Sequence, residues 1–214
     1  MSIATYTDLK AKIAEYLARD DLTSAIPDFI TLAEAKFNRE LFVRQMEVRA
    51  TTTADINSAE PEFITLPSDF QSMRRVRVTS ADRKPQLEFM SGVQMDEYRT
   101  KSGNVSGAPR YFTIFGTELE LAPTPDAACT IEMVYRANVP ALSDSNVDNW
   151  LLLQAPDAYI YGSLLESAPY MKEDARIQVW AAGLTTTLDS LNRLGMASTF
   201  NAGPLVVRTS GQVF

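Results

Sequence analysis

The spacing of apolar residues predicts helices in the first quarter of the chain. The segment 5–19 has an apolar face made of Leu9, Ile13, Tyr16 and Leu17. A second helix is predicted to begin between Ser24 and Pro27, because a hydroxyl can cap a helix and proline is accepted in its first turn. Its apolar stripe continues at steps of four and three through Ile26, Ile30, Ala33, Phe37 and Leu41. The other side is predicted to be polar, with Glu34, Lys36, Arg39, Glu40 and Arg44.

Helical spacing returns near Asp148. Asn149 is a predicted cap, and Pro156 begins a further helix. The last helix is predicted over about 172–194, with Gly195 as its C-terminal stop. Its apolar positions are Ile177, Trp180, Leu184, Leu188, Leu191 and Leu194. Since no single helix can bury its stripe alone, the sequence predicts a four-helix bundle built from both ends of the chain.

Between these helical segments the pattern changes to short β-branched and aromatic runs separated by proline and glycine. Strands are predicted at 51–53, 63–66, 76–78, 87–89, 111–115, 119–121 and 130–135, with one helix over 91–99. The segment 115–119 is typical of a tight hairpin. In the last strand Ile131, Met133 and Tyr135 alternate with Glu132, Val134 and Arg136, which predicts a half-exposed strand. The fold class is therefore α+β, with an inserted antiparallel sandwich or barrel-like domain.

These patterns divide the chain into four segments. The first and second halves of the helical bundle are 1–47 and 148–195, the β domain is 48–147, and 196–214 is an extended C-terminal arm. The arm has one charge, Arg208, among Gly, Ser, Thr and Asn, and its apolar residues are Phe200, Leu205, Val206, Val207, Val213 and Phe214. A disordered solubilising tail would be more polar. We therefore expect the arm to be buried in a partner; a strand folded back on its own domain is the alternative.

Charge and composition narrow the possible functions. The net charge of −7 argues against sequence-specific DNA binding, whereas an acidic wall suits a channel that must not retain DNA. The chain contains no histidine, which removes the commonest general base and most transition-metal ligands. It contains no phosphate-binding glycine motif, apolar run of membrane-spanning length or secretion signal. We expect a soluble protein made in a cytoplasm, with no catalytic residue, metal or cofactor.

The densest basic patch contains Arg74, Arg75 and Arg77. On a strand, Arg75 and Arg77 share one face, and Val76, Val78 and Arg74 lie on the other. These arginines are candidates for an ion-paired contact with an acidic neighbouring subunit. A DNA contact in a channel and an ordinary solvated strand face are the alternatives.

Several other residues have simpler interpretations. The carboxylates of Glu60, Glu62 and Asp69, or of Asp96 and Glu97, could form a pair for glycoside hydrolysis, but nothing in their spacing sets one of them in an apolar pocket. The polar loop 137–148 is either a linker or part of a surface that receives a partner. The single cysteine and three aromatic residues are predicted core residues: Cys129, Trp150, Tyr159 and Trp180.

A series of short motifs, taken in order, resembles the phage adaptor family, whose members are the head-to-tail gateway or tail-tubular-A-like proteins. The resemblance covers about residues 7–194, and no single motif in it is decisive. The motifs are PDFIxLAE at 27–34, NREL at 38–41, LPxDF at 66–70, GxPxYF at 107–112, LxPxP at 121–125, Tyr135, PxLSD at 140–144, NWLL at 149–152, PDAY at 156–159 and LLE at 164–166.

This resemblance implies a ring, usually of twelve copies, between the capsid portal and the tail nozzle in the virion. It implies assembly in the host cytoplasm, portal, nozzle and identical copies as partners, and DNA passing through without sequence recognition. The C-terminal segment of such proteins commonly docks into the portal, which agrees with the arm predicted from the residues. Two other functions stay open, a tail-associated carboxylate-dependent peptidoglycan hydrolase and a generic binding module.

Overall fold

The computed structural model describes residues 3–18, 20–79, 85–103, 105–170 and 175–199. The protein chain forms two compact units. The helical unit combines the residues up to Gln45 with those from Ala141 onward, and the β unit is Met46–Pro140. We describe each unit by itself.

The described part of the helical unit contains five α-helices: α1 Tyr6–Leu17, α2 Ile26–Glu40, α4 Trp150–Gln154, α5 Pro156–Glu166 and α6 Arg176–Thr199. It also has 3₁₀ turns at Asp20–Ala25 and Ala168–Tyr170, and α3, Gly92–Ser102, belongs to the β unit. Helix α5 is central, because α1, α2, α4 and α6 all pack against it. The predicted α+β fold class is confirmed, whereas the specific four-helix bundle is not.

Local sequence signals set several helix ends. Thr5 caps α1, since its side chain accepts from the Asp8 backbone N–H while the Asp8 carboxylate accepts from the Thr5 N–H. Asn149 caps α4, as predicted, and accepts from the Leu152 N–H at 2.8 Å. Proline occupies the first turn of α2 and of α5. Of the predicted core residues, Tyr159 and Trp180 are buried, whereas Trp150 is half-buried and Tyr16 of the α1 stripe is exposed.

The prediction that Gly195 ends the last helix is wrong. Helix α6 continues through Gly195 to Thr199. A Cβ atom at position 195 would lie 3.0 Å from the Cα of Val43 and 3.2 Å from the carbonyl oxygen of Phe42. Glycine is therefore needed here for a close approach of two backbones, and not for a left-handed cap. Leu194, a predicted stripe residue, is 69% exposed.

The β unit contains all seven predicted strands and the predicted helix. One sheet has the order β1-β7-β3, and the other has the order β2-β6-β5-β4. The bounds are β1 Glu47–Ala54, β2 Phe63–Thr65, β3 Phe70–Val78, β4 Glu88–Phe89, α3 Gly92–Ser102, β5 Tyr111–Phe115, β6 Glu118–Ala122 and β7 Cys129–Ala137. The hairpin at 115–119 is confirmed, with Gly116 at a φ of 56°.

The β unit departs from the predicted antiparallel sandwich or barrel in two ways. Strands β4 and β5 pair in parallel, and neither sheet in the described part of the chain closes into a barrel. Both sheets nevertheless contribute side chains to one apolar core, which includes Ile64, Val76, Leu119 and Ile131. Cys129 is buried in this core, as predicted.

Strand β7 is not half-exposed. It is the middle strand of its sheet, between β1 and β3, and Glu132 and Arg136 are buried along with the apolar residues that alternate with them. The alternating pattern is present, but the arginine side chains of the two neighbouring strands cover its polar face. The burial of β7 depends on the strands that lie beside it in the sheet, so the residue pattern of β7 alone does not predict it.

Candidate assembly surfaces

The strand register places the predicted arginine patch on one face of the three-stranded sheet. Arg49 of β1 and Arg75 of β3 both pair with Val134 of β7, and Arg77 pairs with Glu132. Paired residues of antiparallel strands point to the same face. Val76 and Val78 point to the opposite face, into the core, as predicted.

Glu132 lies between three guanidinium groups on this face. Its carboxylate is 2.6 Å from Arg77 Nε, 2.5 Å from Arg49 Nε and 3.6 Å from Arg75 Nη2. The glutamate side chain is fully buried, whereas the three arginine side chains are exposed by between 32 and 65%. The hydrogen bond from Arg77 lowers the pKa of Glu132 to about 2, together with the hydrogen bond from Arg49 and the positive charges of both arginines.

Arg74 differs from its neighbours. A β-bulge interrupts the register between Met73 and Arg75, and Arg74 is exposed, in contrast to the buried Val76 and Val78 with which it was predicted to share a face. Its Nε lies 3.5 Å from the Glu47 carboxylate. Together Arg49, Arg74, Arg75, Arg77, Arg136, Glu47 and Glu132 form what we call the arginine face. The use of Arg74, Arg75 and Arg77 in a subunit contact remains a prediction.

The last turns of α6 form a second candidate surface, since they fix the point from which the C-terminal residues continue. Asn192 Oδ1 accepts from the Phe42 N–H at 2.7 Å, and its Nδ2 donates to the Glu40 carbonyl at 3.0 Å. Gly195, three residues further along the helix, packs directly against Val43. The segment after α2 is thereby tied to the end of α6. The predicted arm residues Phe200, Leu205, Val206, Val207, Arg208, Val213 and Phe214 lie outside the described residues.

A buried polar cluster in the helical unit was missed by the sequence analysis, which placed Glu34 on the polar side of its helix. Glu34 is buried and accepts from the Leu142 N–H at 2.8 Å and from the Tyr159 hydroxyl at 3.0 Å. Asn149 Nδ2 donates to that hydroxyl at 2.6 Å. Burial raises the pKa of Glu34, and burial also raises the pKa of Tyr159. The available signal was Tyr159 itself, because a buried tyrosine hydroxyl needs a hydrogen-bond partner.

The carboxylates considered for hydrolysis have ordinary structural surroundings. Asp69 accepts from the Tyr135 hydroxyl at 2.9 Å, and Glu97 pairs with Lys101 one helical turn away at 3.2 Å. Within the described ranges no group of three or more carboxylate or cysteine side chains is placed to hold a metal ion. None of the helices in that part of the chain combines the length and apolar character that a membrane span requires.

The comparison with protein families identifies the class of protein as a phage adaptor. Over residues 4–208 the chain matches the family model described as SU10 adaptor protein. The chain belongs to the SU10 adaptor protein family, which agrees with the resemblance that its motifs show to phage head-to-tail adaptors. A search of the curated proteins found no significant match.

Proposed function

We propose that this protein is the subunit of a ring that joins the phage capsid portal to the tail nozzle and continues the DNA channel. The family match over residues 4–208 carries the proposal, because it covers both units and most of the arm. The virion position at the head-tail interface, the assembly in the host cytoplasm and the number of twelve copies follow the resemblance. The protein acts through contacts alone and performs no catalytic step.

In this proposal the arm anchors the ring to the portal. The residues Leu205, Val206, Val207 and Arg208 add as a β-strand to a portal sheet, where backbone hydrogen bonds supply affinity and alternate side chains set the register. Ordering the arm costs about 1–2 kcal/mol per residue for the backbone. Contacts with the portal must offset this cost, so the subunit stays monomeric until a portal is present.

The end of α6 supports this role for the arm. Asn192 and Gly195 tie the last turns of the helix to the segment 40–43, so the arm starts from a fixed point on the helical unit. A fixed origin restricts the volume that a tethered segment explores and raises its effective concentration near its binding groove.

The test is binding to purified portal rings of the full chain and of a variant that ends at Thr199. Ending the variant at Thr199 preserves α6, whereas an end at Leu194 would remove the contact between Gly195 and Val43. A second variant keeps the full length of the arm and carries Val206→Asp and Val207→Asp, which remove the apolar character of the predicted strand. It separates the effect of the arm's apolar residues from the effect of its length.

We expect the full chain to bind the portal and both variants to lose binding. If the shortened chain binds as well as the full chain, the anchor lies in one of the two units, and the proposal for the arm is wrong. If the full chain itself does not bind portal rings, the adaptor role is wrong.

A further inference from the structure

The arginine face has an excess of positive charge in an acidic chain. Four of its arginines are at least partly exposed, Arg49, Arg74, Arg75 and Arg77, and they stand against Glu47 and Glu132. This leaves two positive charges, while the whole chain has a net charge of −7. A surface of this kind attracts a partner of negative charge and lowers the repulsion between acidic copies that lie side by side.

The arginines are held in place but are not saturated by Glu132. One carboxylate has two oxygens, whereas each guanidinium offers five N–H donors. Arg75 Nη2 lies 3.6 Å from Glu132, beyond hydrogen-bond distance, and 44% of its side chain is exposed. The side chains of Arg49, Arg75 and Arg77 are already ordered around Glu132, so they lose less rotamer entropy when a second carboxylate binds.

A separate surface of the β unit has the opposite charge. From Ala50 to Met73 the chain has four acidic residues and no lysine or arginine. Within this range the acidic loop, which we define as residues 55–62, contains Asp55, Glu60 and Glu62, and Asp55 and Glu60 are exposed. No lysine or arginine in the described part of the chain forms an ion pair with these three carboxylates.

Within one copy the two surfaces do not meet. Ala54, the last residue of β1, lies five positions after Arg49, about 17 Å along an antiparallel strand, and the acidic loop begins at the next residue. We propose that the arginine face of one copy binds the acidic loop of a second copy. The contact is head-to-tail, so each copy offers one surface to each neighbour, and the coaxial portal provides the symmetry that closes the series into a ring. This inference rests on the proposed ring.

The experiment is a charge exchange between the two surfaces. One variant, the arginine variant, carries Arg74→Glu with Arg75→Glu, which leaves Arg49 and Arg77 to neutralise Glu132. The other, the loop variant, carries Glu60→Lys with Glu62→Lys. The number of copies on purified portal rings is measured for each variant alone and for an equal mixture. Controls are Arg110→Glu and Asp96→Lys, at exposed positions of the same unit outside both surfaces.

With both substitutions the arginine face becomes negative, and in the loop variant the acidic loop becomes positive. Each variant alone therefore places like charges opposite one another, and we expect its assembly on the portal to fall about tenfold or more. In the mixture each contact between the two variants joins opposite charges, and a ring with an even number of copies can alternate them, so we expect the wild-type copy number. Both controls should assemble as the wild type does. If the arginine variant does not fold, the loop variant decides, because its substitutions lie outside the sheet strands.

The proposal is overturned if the loop variant assembles like the wild type, or if the mixture assembles no better than its components. An arginine variant that forms normal rings but no longer retains duplex DNA would assign the face to DNA instead. If the wild-type chain binds the portal only as single copies, the failure belongs to this inference. If it does not bind at all, the failure belongs to the proposed function, and this inference falls with it.

Discussion

Two buried carboxylates, Glu132 and Glu34, show how surroundings decide the state of an identical group. Glu132 is surrounded by arginines, and its pKa falls to about 2. Glu34 has no cation among its described contacts, only the Leu142 N–H and the Tyr159 hydroxyl, and burial raises its pKa. The first carboxylate is therefore stable as an anion, and the second is stabilised by a proton.

Glu132 should make the β unit sensitive to acid. Its pKa is near 4.5 in the unfolded chain and about 2 in the folded chain, so its contribution to stability is present above pH 4.5 and is lost as the pH falls toward 2. We expect Glu132→Gln to lower the urea midpoint at pH 7 and to reduce the loss of stability over that pH range. Glu47→Gln is the control, because its pair with Arg74 is exposed and should contribute less than about 1 kcal/mol. Equal midpoints for the wild type and Glu132→Gln at pH 7 would contradict this account.

Glu34 should act in the opposite direction. Its folded pKa lies above the value of 4.5 expected for the unfolded chain, so the folded state binds the proton more tightly. The contribution of this proton is full below pH 4.5 and is lost as the pH rises through the folded pKa. We expect Glu34→Gln to remove this dependence, as measured by urea unfolding at a series of pH values.

The companion substitution Glu34→Ala removes the acceptor altogether and leaves the Leu142 N–H and the Tyr159 hydroxyl without it. We expect it to lower the free energy of unfolding by about 1–3 kcal/mol below pH 4.5, and by less as the pH rises through the folded pKa of Glu34. If the stability of Glu34→Gln depends on pH in the same way as that of the wild type, another group titrates in that range, and the assignment to Glu34 is wrong.

At the scale of secondary-structure elements, the sequence predicted what local patterns control. All seven strands and the helix in the β unit were found from β-branched runs and turn residues, because both signals act within a few residues. The central position of β7 was not predicted, since it depends on which distant strands pair with it. That pairing buries Glu132 and places Arg49, Arg75 and Arg77 around its carboxylate. The spacing of residues along one strand holds no information about such a pairing.

Helix α6 illustrates the same limit at its C-terminal end. A glycine after an apolar stripe is typical of a helix stop, yet Gly195 is an interior residue packed against Val43. The sequence contains the glycine, but the partner that requires it is about 150 residues away.

The packing of Gly195 can be tested against a second glycine of the same helix. We expect Gly195→Ala to lower the free energy of unfolding by about 1–3 kcal/mol, because the new methyl group would meet backbone atoms that cannot turn aside. At Gly183 the nearest atoms to the new methyl group belong to the Tyr161 ring, which can shift, so Gly183→Ala should be close to neutral or stabilising by up to about 1 kcal/mol. Thermal unfolding of both variants measures the difference. A Gly195→Ala variant as stable as the wild type would mean that α6 does not pack against Val43.

At the scale of the whole molecule, charge should govern association between copies. The chain has a net charge of −7, and in the proposed ring the arginine face of one copy binds the acidic loop of the next. Salt screens this attraction, so neighbouring copies should bind each other less tightly as the salt concentration rises. We expect fewer copies per portal ring at 0.5 M than at 0.05 M sodium chloride, while binding of the apolar arm to the portal changes little. Sedimentation of the complexes at both salt concentrations measures this. A copy number that is independent of salt would exclude the charge contact as the main lateral interaction.

The central claim is that this chain forms a ring on a portal. The most direct measurement is electron cryomicroscopy of purified portal rings mixed with an excess of the full chain. We predict a closed ring, coaxial with the portal and of twelve copies, with the C-terminal residues of each copy bound to portal density. Portal rings without added density, or with copies attached singly and off the axis, would contradict the claim.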